Sequence, residues 1–474
     1  MTTTVGAGVP TPPTPSPSTP SPSTPVPSWP LPPVERRAVL PAGFRAGGLA
    51  TGIKASGRPD LALVVTSAGP AAAAAVFTPN AFAAAPVRRS RANLAATSGD
   101  PRGGFGWARA VVSTSGCANA ATGPEGDVDQ DAVGRQVAGA LGLEAEAEIL
   151  HLSTGVIGTR LPLDKVGAGL AALVPALTAD DDGLHAAAVA LRTTDSVTKV
   201  ATTTVEVPGR DGTTVPVTVS GIAKGVGMIH PNMATMLSVV VTDAAVEPAV
   251  LWSLLRPAAA RTWDQLSVDG DTSTNDTVFV LASGAAPAPV VAAGSPAAEV
   301  LGAAIEAIGR DLARQQAADG EGATILITAQ VRGARDDAAA RAVARAVVSS
   351  SLVKAAAHGK DPNWGRIAGA AGNATLAGAS VLEAAGLGAE EAAVRAGRPV
   401  TLAPELLRIT IAGHLVFDGA AGGPIPFDRD AARAGMHAPE LVIGLDLGQG
   451  NGSGEAFGCD LTEQYVIENS EYTT

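Results

Sequence analysis

Cysteine, lysine and catalytic histidine pairings are all scarce in this chain, and each scarcity excludes something. Its two cysteines, Cys117 and Cys459, stand far apart without metal-ligand spacing, so neither a disulfide scaffold nor a zinc cluster is expected, and both read as small core residues. The six histidines form no HExxH motif or close pair, and no Walker A or G-x-S-x-G pattern occurs. A metal or P-loop mechanism therefore has no support, and no metal and no organic cofactor is expected. No Lys/Arg-rich run offsets the net charge of −12, which argues against nucleic acid as a partner. No apolar run approaches the roughly 20 residues of a membrane span without Pro or Gly. A basic n-region followed by an apolar h-region is also missing, so the expected location is cytoplasmic, without membrane association.

What is present is a soluble-type composition, 46% hydrophobic and 3% aromatic over 474 residues, enough for a large core in more than one layered unit. The first 34 residues hold 12 of the 35 prolines among Ser and Thr and carry no charge before Glu35. Residues 1–40 are accordingly assigned to a disordered Pro/Ser/Thr-rich tail. From there the chain alternates short β-branched runs with Ala-rich helical patterns, which predicts an α/β (α+β) architecture. Strands are expected at 110–114, 148–152, 200–207, 215–222, 236–242, 276–282 and 324–331. Helices are expected at 129–141, 163–173, 248–261, 297–316 and 338–348.

The most informative stretch is Lys224-Gly-Val-Gly-Met-Ile-His-Pro-Asn-Met-Ala-Thr-Met-Leu-Ser-Val-Val-Val-Thr-Asp243, which sets Thr235 between a glycine-rich approach and a strand-like apolar run. Gly225 and Gly227 allow backbone geometries closed to other residues, and Pro231 fixes its own φ and biases His230 toward extended geometry. Such shaping suits a strained, reactive peptide bond, which makes Thr235 a candidate nucleophile.

This stretch resembles the self-cleavage segment of the ornithine acetyltransferase family, enzymes of the cyclic route of arginine biosynthesis, and the similarity extends over roughly residues 41–474. It implies cleavage between Ala234 and Thr235, giving an α chain of residues 41–234 and a β chain of 235–474 with an N-terminal Thr nucleophile. The implied fold is a self-cleaving, N-terminal-nucleophile-like layered sandwich with helices outside a sheet core. The implied reaction moves acetyl from N-acetylornithine to glutamate through an acetyl-Thr235 ester, and some members also accept acetyl-CoA. The implied partners are the α and β chains of one precursor, paired as α2β2.

The resemblance also assigns roles that the residues alone leave open. Thr154 and Gly155, in Ser153-Thr-Gly-Val-Ile-Gly158, read as an ordinary strand-to-helix turn but match the family's oxyanion-stabilising positions. Lys224, one of six lysines, could be a solvated charge and matches a substrate-binding position; Thr193, in Thr193-Thr-Asp195, could be a helix-terminal cap and matches another. Glu321, between two glycines, matches a substrate-binding carboxylate suited to the amino group of ornithine. Asn469 and the last residue, Thr474, match positions that contact substrate. Two further matched segments, 268–277 and 360–366, rich in Asp, Asn and Gly, are assigned structural roles. In the segment 114–123 the chain departs from the family pattern at Thr114, Cys117 and Ala121. That departure leaves open a paralogue with an altered acceptor, and a self-cleaving amidase or aminopeptidase is the rival from another enzyme class.

Overall fold

In a computed structural model the described residues are 31–209, 212–230 and 236–470. Three sheets organise them. A six-stranded sheet runs in the order Phe105–Ala108, Ala71–Phe77, Thr277–Ala282, Leu237–Thr242, Thr214–Lys224, Lys199–Pro208. Its centre pairs Thr277–Ala282 with Leu237–Thr242 in parallel, Thr277 opposite Leu237 and Ala282 opposite Thr242. A four-stranded sheet, Phe44–Leu49, Leu61–Thr66, Ala110–Cys117, Ile149–Val156, lies alongside it. One apolar cluster joins the two, with Phe44 and Val64 from the smaller sheet, Val239 and Phe279 from the larger, and Leu184 and Leu94 from the helices Asp181–Leu191 and Ala85–Ser98.

Helices cover the outer faces. Gly123–Leu141 and Leu163–Ala176 pack Val133, Val137, Val166 and Leu170 against Leu61, Leu63 and Val112. On the far side of the six-stranded sheet, Pro296–Ala318 is capped by the Ser295 hydroxyl, which accepts from the Ala298 amide, and begins with Pro at its first position. Its buried Leu301, Ile305, Ile308 and Leu312 recur at helical spacing and pack with Leu251 and Leu255 of Pro248–Arg261. The layered α/β order expected from the sequence is thus present, and every strand and helix expected from periodicity is observed within a few residues.

A third, seven-stranded mixed sheet, formed by residues 266–267 and strands between 326 and 459, was not anticipated. The helix Asp337–Ser349 buries Val343, Ala344 and Val347 against its Ile327, Val331 and Ile443. Residues 31–40, assigned to the tail by composition, also belong to the fold. Glu35 exchanges backbone hydrogen bonds with Thr202, the Pro33 carbonyl accepts from the Thr203 hydroxyl, and Arg36 pairs with Asp311 at 3.0 Å. These residues lack a strand-like pattern of their own; the free edge of Lys199–Pro208 supplies their partner.

Phe279, fully buried and edge-on to Phe77 with ring centroids 6.0 Å apart, sits in the apolar layer between the two sheets. Phe279→Ala is expected to cost about 3–5 kcal/mol in denaturant unfolding, the usual penalty for a large core truncation; a loss under about 1 kcal/mol would show that this layer is not tightly packed.

Candidate active site

The ends of several strands converge on one cavity of about 260 Å³. Thr154 and Gly155 stand near the carboxyl end of Ile149–Val156, Lys224 ends Thr214–Lys224, and residues 226–228 follow it. Thr193 and Thr194 come from the loop after Asp181–Leu191, residues 273–275 from the loop before Thr277–Ala282, and Glu321 from the turn after Pro296–Ala318. Asn469, on the C-terminal helix Glu463–Ser470, completes the lining. Six of the residues singled out in the sequence, Thr154, Gly155, Thr193, Lys224, Glu321 and Asn469, therefore share one cavity. Ala234, Thr235 and Thr474 lie outside the described residues.

Thr154 and Gly155 are not in a turn, as their spacing predicted, but in a strand that bulges. Gly155 has φ of 127°, and a Cβ there would meet the Gly116 carbonyl carbon at 2.3 Å and the Cys117 nitrogen at 2.7 Å. The register with Ala110–Cys117 shifts at this point. Only glycine accommodates that approach, which turns the strand end toward the cavity. The Lys224 ammonium donates to the Thr154 hydroxyl oxygen at 3.0 Å. With its oxygen already accepting from a cation, the hydroxyl keeps its own proton for donation into the cavity.

Lys224 is buried, which lowers its pKa, while Asp195 opposes the shift. Glu321 is held by the Thr194 hydroxyl at 3.2 Å and the Asn469 amide at 2.9 Å. Burial raises its pKa, and those two hydrogen bonds pull it back. The chain must also come close: a Cβ on Gly227 would meet a Glu321 carboxylate oxygen at 2.1 Å. Asn469, on a segment that composition would read as a frayed end, is thus docked by its side chain onto Glu321.

Several functional groups escaped the sequence reading. Asp195, the third residue of the Thr193-Thr-Asp195 run, is buried, and one carboxylate oxygen accepts from the Thr193 amide at 3.0 Å. The other accepts from the Gly225 amide at 2.8 Å and the Lys199 ammonium at 2.7 Å. The segment 268–277, assigned a structural role, has one and also lines the cavity. The Asn275 amide donates to the carbonyls of Ala118 at 2.7 Å and Ser153 at 2.8 Å, tying the loop after Ala110–Cys117 to the strand Ile149–Val156. Asp276 accepts from the Met236 amide at 3.1 Å, the residue that follows Thr235 in sequence. Complete burial raises the Asp276 pKa well above the usual carboxylate range. The available signal was the density of Asp, Asn, Ser and Thr in this segment; what it lacked was any indication of which side chains face inward.

Polar groups of both signs converging inside a cavity characterise an enzyme of small charged molecules rather than a docking module. Comparison with known proteins places this enzyme more closely. The ArgJ family pattern matches residues 45–474. The arginine biosynthesis bifunctional protein ArgJ of Synechococcus sp. is 45% identical over 443 residues, covering 92% of this chain and 96% of that one. Its counterpart in Thermus thermophilus is 43% identical over 435 residues, covering 92% of this chain and 99% of that one. A solved ornithine acetyltransferase from Mycobacterium tuberculosis, complexed with ornithine, is 43% identical, covering 42% of this chain and 97% of that one, at a TM-score of 0.36. The chain belongs to the ArgJ family, and it is an acyltransferase of arginine biosynthesis.

Asp195 gives a pH-dependent prediction. Lys199, Lys224 and hydrogen bonds outweigh the burial penalty and hold its pKa down at about 2, below the ordinary 3.8. A depressed carboxylate stabilises the fold above its unfolded pKa, and that contribution is lost as pH falls from near 4 toward 2. Asp195→Asn is expected to lower stability at pH 7 by about 3 kcal/mol, the smaller end of breaking a buried ion pair, since Asp319 still meets Lys199 at 2.5 Å. It should also flatten the acid limb of the unfolding profile. An unchanged limb would remove Asp195 from that role.

Proposed function

We propose that the chain cuts itself between Ala234 and Thr235 and then transfers acetyl from N-acetylornithine to glutamate through an ester on Thr235. The observation that carries this reading is the convergence of Thr154, Gly155, Thr193, Lys224, Glu321 and Asn469 on one cavity, combined with membership of the ArgJ family. The chain up to Ala234, with 41–234 as its expected core, and the chain 235–474 become the two chains of the mature enzyme, which stay together and pair as α2β2. ArgJ membership weighs against both the amidase or aminopeptidase alternative and a paralogue with another acceptor.

In self-cleavage the Thr235 hydroxyl attacks the Ala234 carbonyl carbon, the amide becomes an ester, and water hydrolyses it. The new α-amino group of Thr235 has an unperturbed pKa of about 7.7–8.0, so its neutral form serves as base near neutral pH. It takes the hydroxyl proton as the oxygen attacks the acetyl carbonyl of the donor. The Thr154 hydroxyl and the Gly155 amide stabilise the tetrahedral oxyanion, a contribution typically worth about 2.7–4 kcal/mol per donor. Collapse returns the proton to the departing amine of ornithine and leaves the acetyl ester. The amine of glutamate then attacks that ester, and Thr235 is restored. Lys224 and Glu321, of opposite charge in one cavity, suit the carboxylate and the amino group of an amino-acid substrate. The same ester could be loaded from acetyl-CoA; thiol release on mixing enzyme with acetyl-CoA reports whether this chain uses that route. A cytoplasmic location follows from the same reading; among the described residues no helix is long and apolar enough to cross a membrane.

Intact-mass analysis is expected to show two chains, the second starting at Thr235, and Thr235→Ala a single inactive polypeptide. One uncut wild-type chain would end the proposal. Brief exposure to N-acetylornithine with acid quench should add one acetyl to the second chain at Thr235.

Two site variants separate binding from chemistry. Thr154→Val should lower kcat more than it raises KM, because its hydroxyl acts on charge that develops in the transition state. Glu321→Gln should weaken donor binding by roughly 1.5–3 kcal/mol and leave self-cleavage intact, as expected for one charge-assisted hydrogen bond. A Glu321→Gln enzyme that fails to cleave but binds donor normally would move this carboxylate to the cleavage step.

A further inference from the structure

A second cavity, of about 1090 Å³, shares no lining residue with the first. The helices Asp337–Ser349, Ser351–His358 and Trp364–Gly372 form its walls together with residues 373–378. Its size is that of a metabolite site rather than a packing defect. Its charged lining is of one sign: Arg345 and Arg366 contribute guanidinium groups, and among the described residues no Asp or Glu lines it. The buried Asp264 lies close enough to Arg345 to favour its charge, and Arg366 adds a second positive group that attracts anions in a chain of net charge −12.

The geometry favours oxyanions. Arg366 is anchored at the wall by the Leu352 carbonyl, which accepts from one of its terminal nitrogens at 2.9 Å. It also lies in the first turn of Trp364–Gly372, a nine-residue helix capped by Asn363, whose side chain accepts from the Arg366 amide at 3.3 Å. A fixed guanidinium presents paired donors in the arrangement that carboxylate and phosphate groups take. Asn363, Gly365 and Arg366 belong to the segment 360–366, which the reaction proposed above does not use.

The two cavities share a wall of backbone. Residues 226–228 line the first, and His230 lines the second. The His230 ring meets the Ser267 hydroxyl at 3.1 Å and an Arg345 terminal nitrogen at 3.2 Å. An anion held by Arg345 would therefore sit beside the residue that precedes Pro231 and, in sequence, the Ala234-Thr235 bond.

We propose that this second cavity binds a small anion bearing carboxylate or phosphate oxygens, held by Arg345 and Arg366, at a site separate from the substrate cavity. Calorimetric titration of the full-length wild type with pyrophosphate and, separately, with citrate tests it and distinguishes the two sources of oxyanion. Saturable binding of either probe is expected, unaffected by saturating ornithine, and weakened about tenfold or more in Arg366→Gln, the loss of one charge-assisted contact. Arg345→Gln should weaken it likewise. Arg366 is half-buried at the rim, so its variant remains informative even if the Arg345 substitution disturbs folding. Failure of both probes to bind the wild type, binding unchanged in the Arg366 variant, or displacement by ornithine would each overturn the proposal.

Discussion

The site depends on one buried carboxylate. Asp195 gathers the Thr193 amide, the Gly225 amide and the Lys199 ammonium, and so locks together a loop, the end of one strand and the start of another. Lys199, wholly buried between Asp195 and Asp319, would be prohibitively costly to bury alone; with two carboxylates it becomes a fixed point from which the cavity wall is hung. Thr193 and Lys224, two of the lining residues, inherit their positions from it. A network of this kind, satisfied on every side, rigidifies its surroundings, and the direction of every bond in it is set by charge.

Around that fixed point the cavity is made by close backbone approaches. Gly155 lets the end of Ile149–Val156 press against Gly116, and Gly227 lets the chain after Lys224 pass the Glu321 carboxylate. Side chains then reach across different elements: Lys224 to Thr154, Thr194 and Asn469 to Glu321, Asn275 to the backbone carbonyls of Ala118 and Ser153. Polar groups on rigid strand ends, steadied by second partners, are what transition-state stabilisation requires, since nothing needs to reorganise as charge develops. Burial works in the same direction, moving Lys224 down and Glu321 and Asp276 up from their ordinary ranges.

The segment before Thr235 has two faces. Residues 226–228 look into the small cavity and His230 into the large one, where burial and the neighbouring Arg345 lower the ring's pKa to about 4 and keep it neutral at pH 7. The proposed reaction site and the proposed anion site thus draw on neighbouring residues of one segment, 226–228 and His230. The short Asp269 contacts to the Met228 and Ile229 amides, at 2.5 and 2.8 Å, hold that partition in place.

Much of this was legible in the sequence because it is local. Periodicity located the helices Pro248–Arg261 and Pro296–Ala318 and the central strands Leu237–Thr242 and Thr277–Ala282, since a buried face repeats at the spacing of its element. The glycines around Lys224 stood out for the same reason, since only special backbone geometry calls for them, whereas the Thr-Gly pair at 154–155 read as an ordinary turn and was singled out by the family resemblance. Other features came from the tertiary structure alone. The run Ala71–Phe77 has the propensity of a helix, yet it is a strand because Phe105–Ala108 and Thr277–Ala282 pair with it on either side. Residues 33–37 carry no pattern and are ordered by a sheet edge. Asp195 read as one polar residue among many, and its importance arises from three partners spread between positions 193 and 225 that meet only when the chain is folded. A sequence displays what each residue prefers; which charges end up buried together, and what they must hold, is decided by packing.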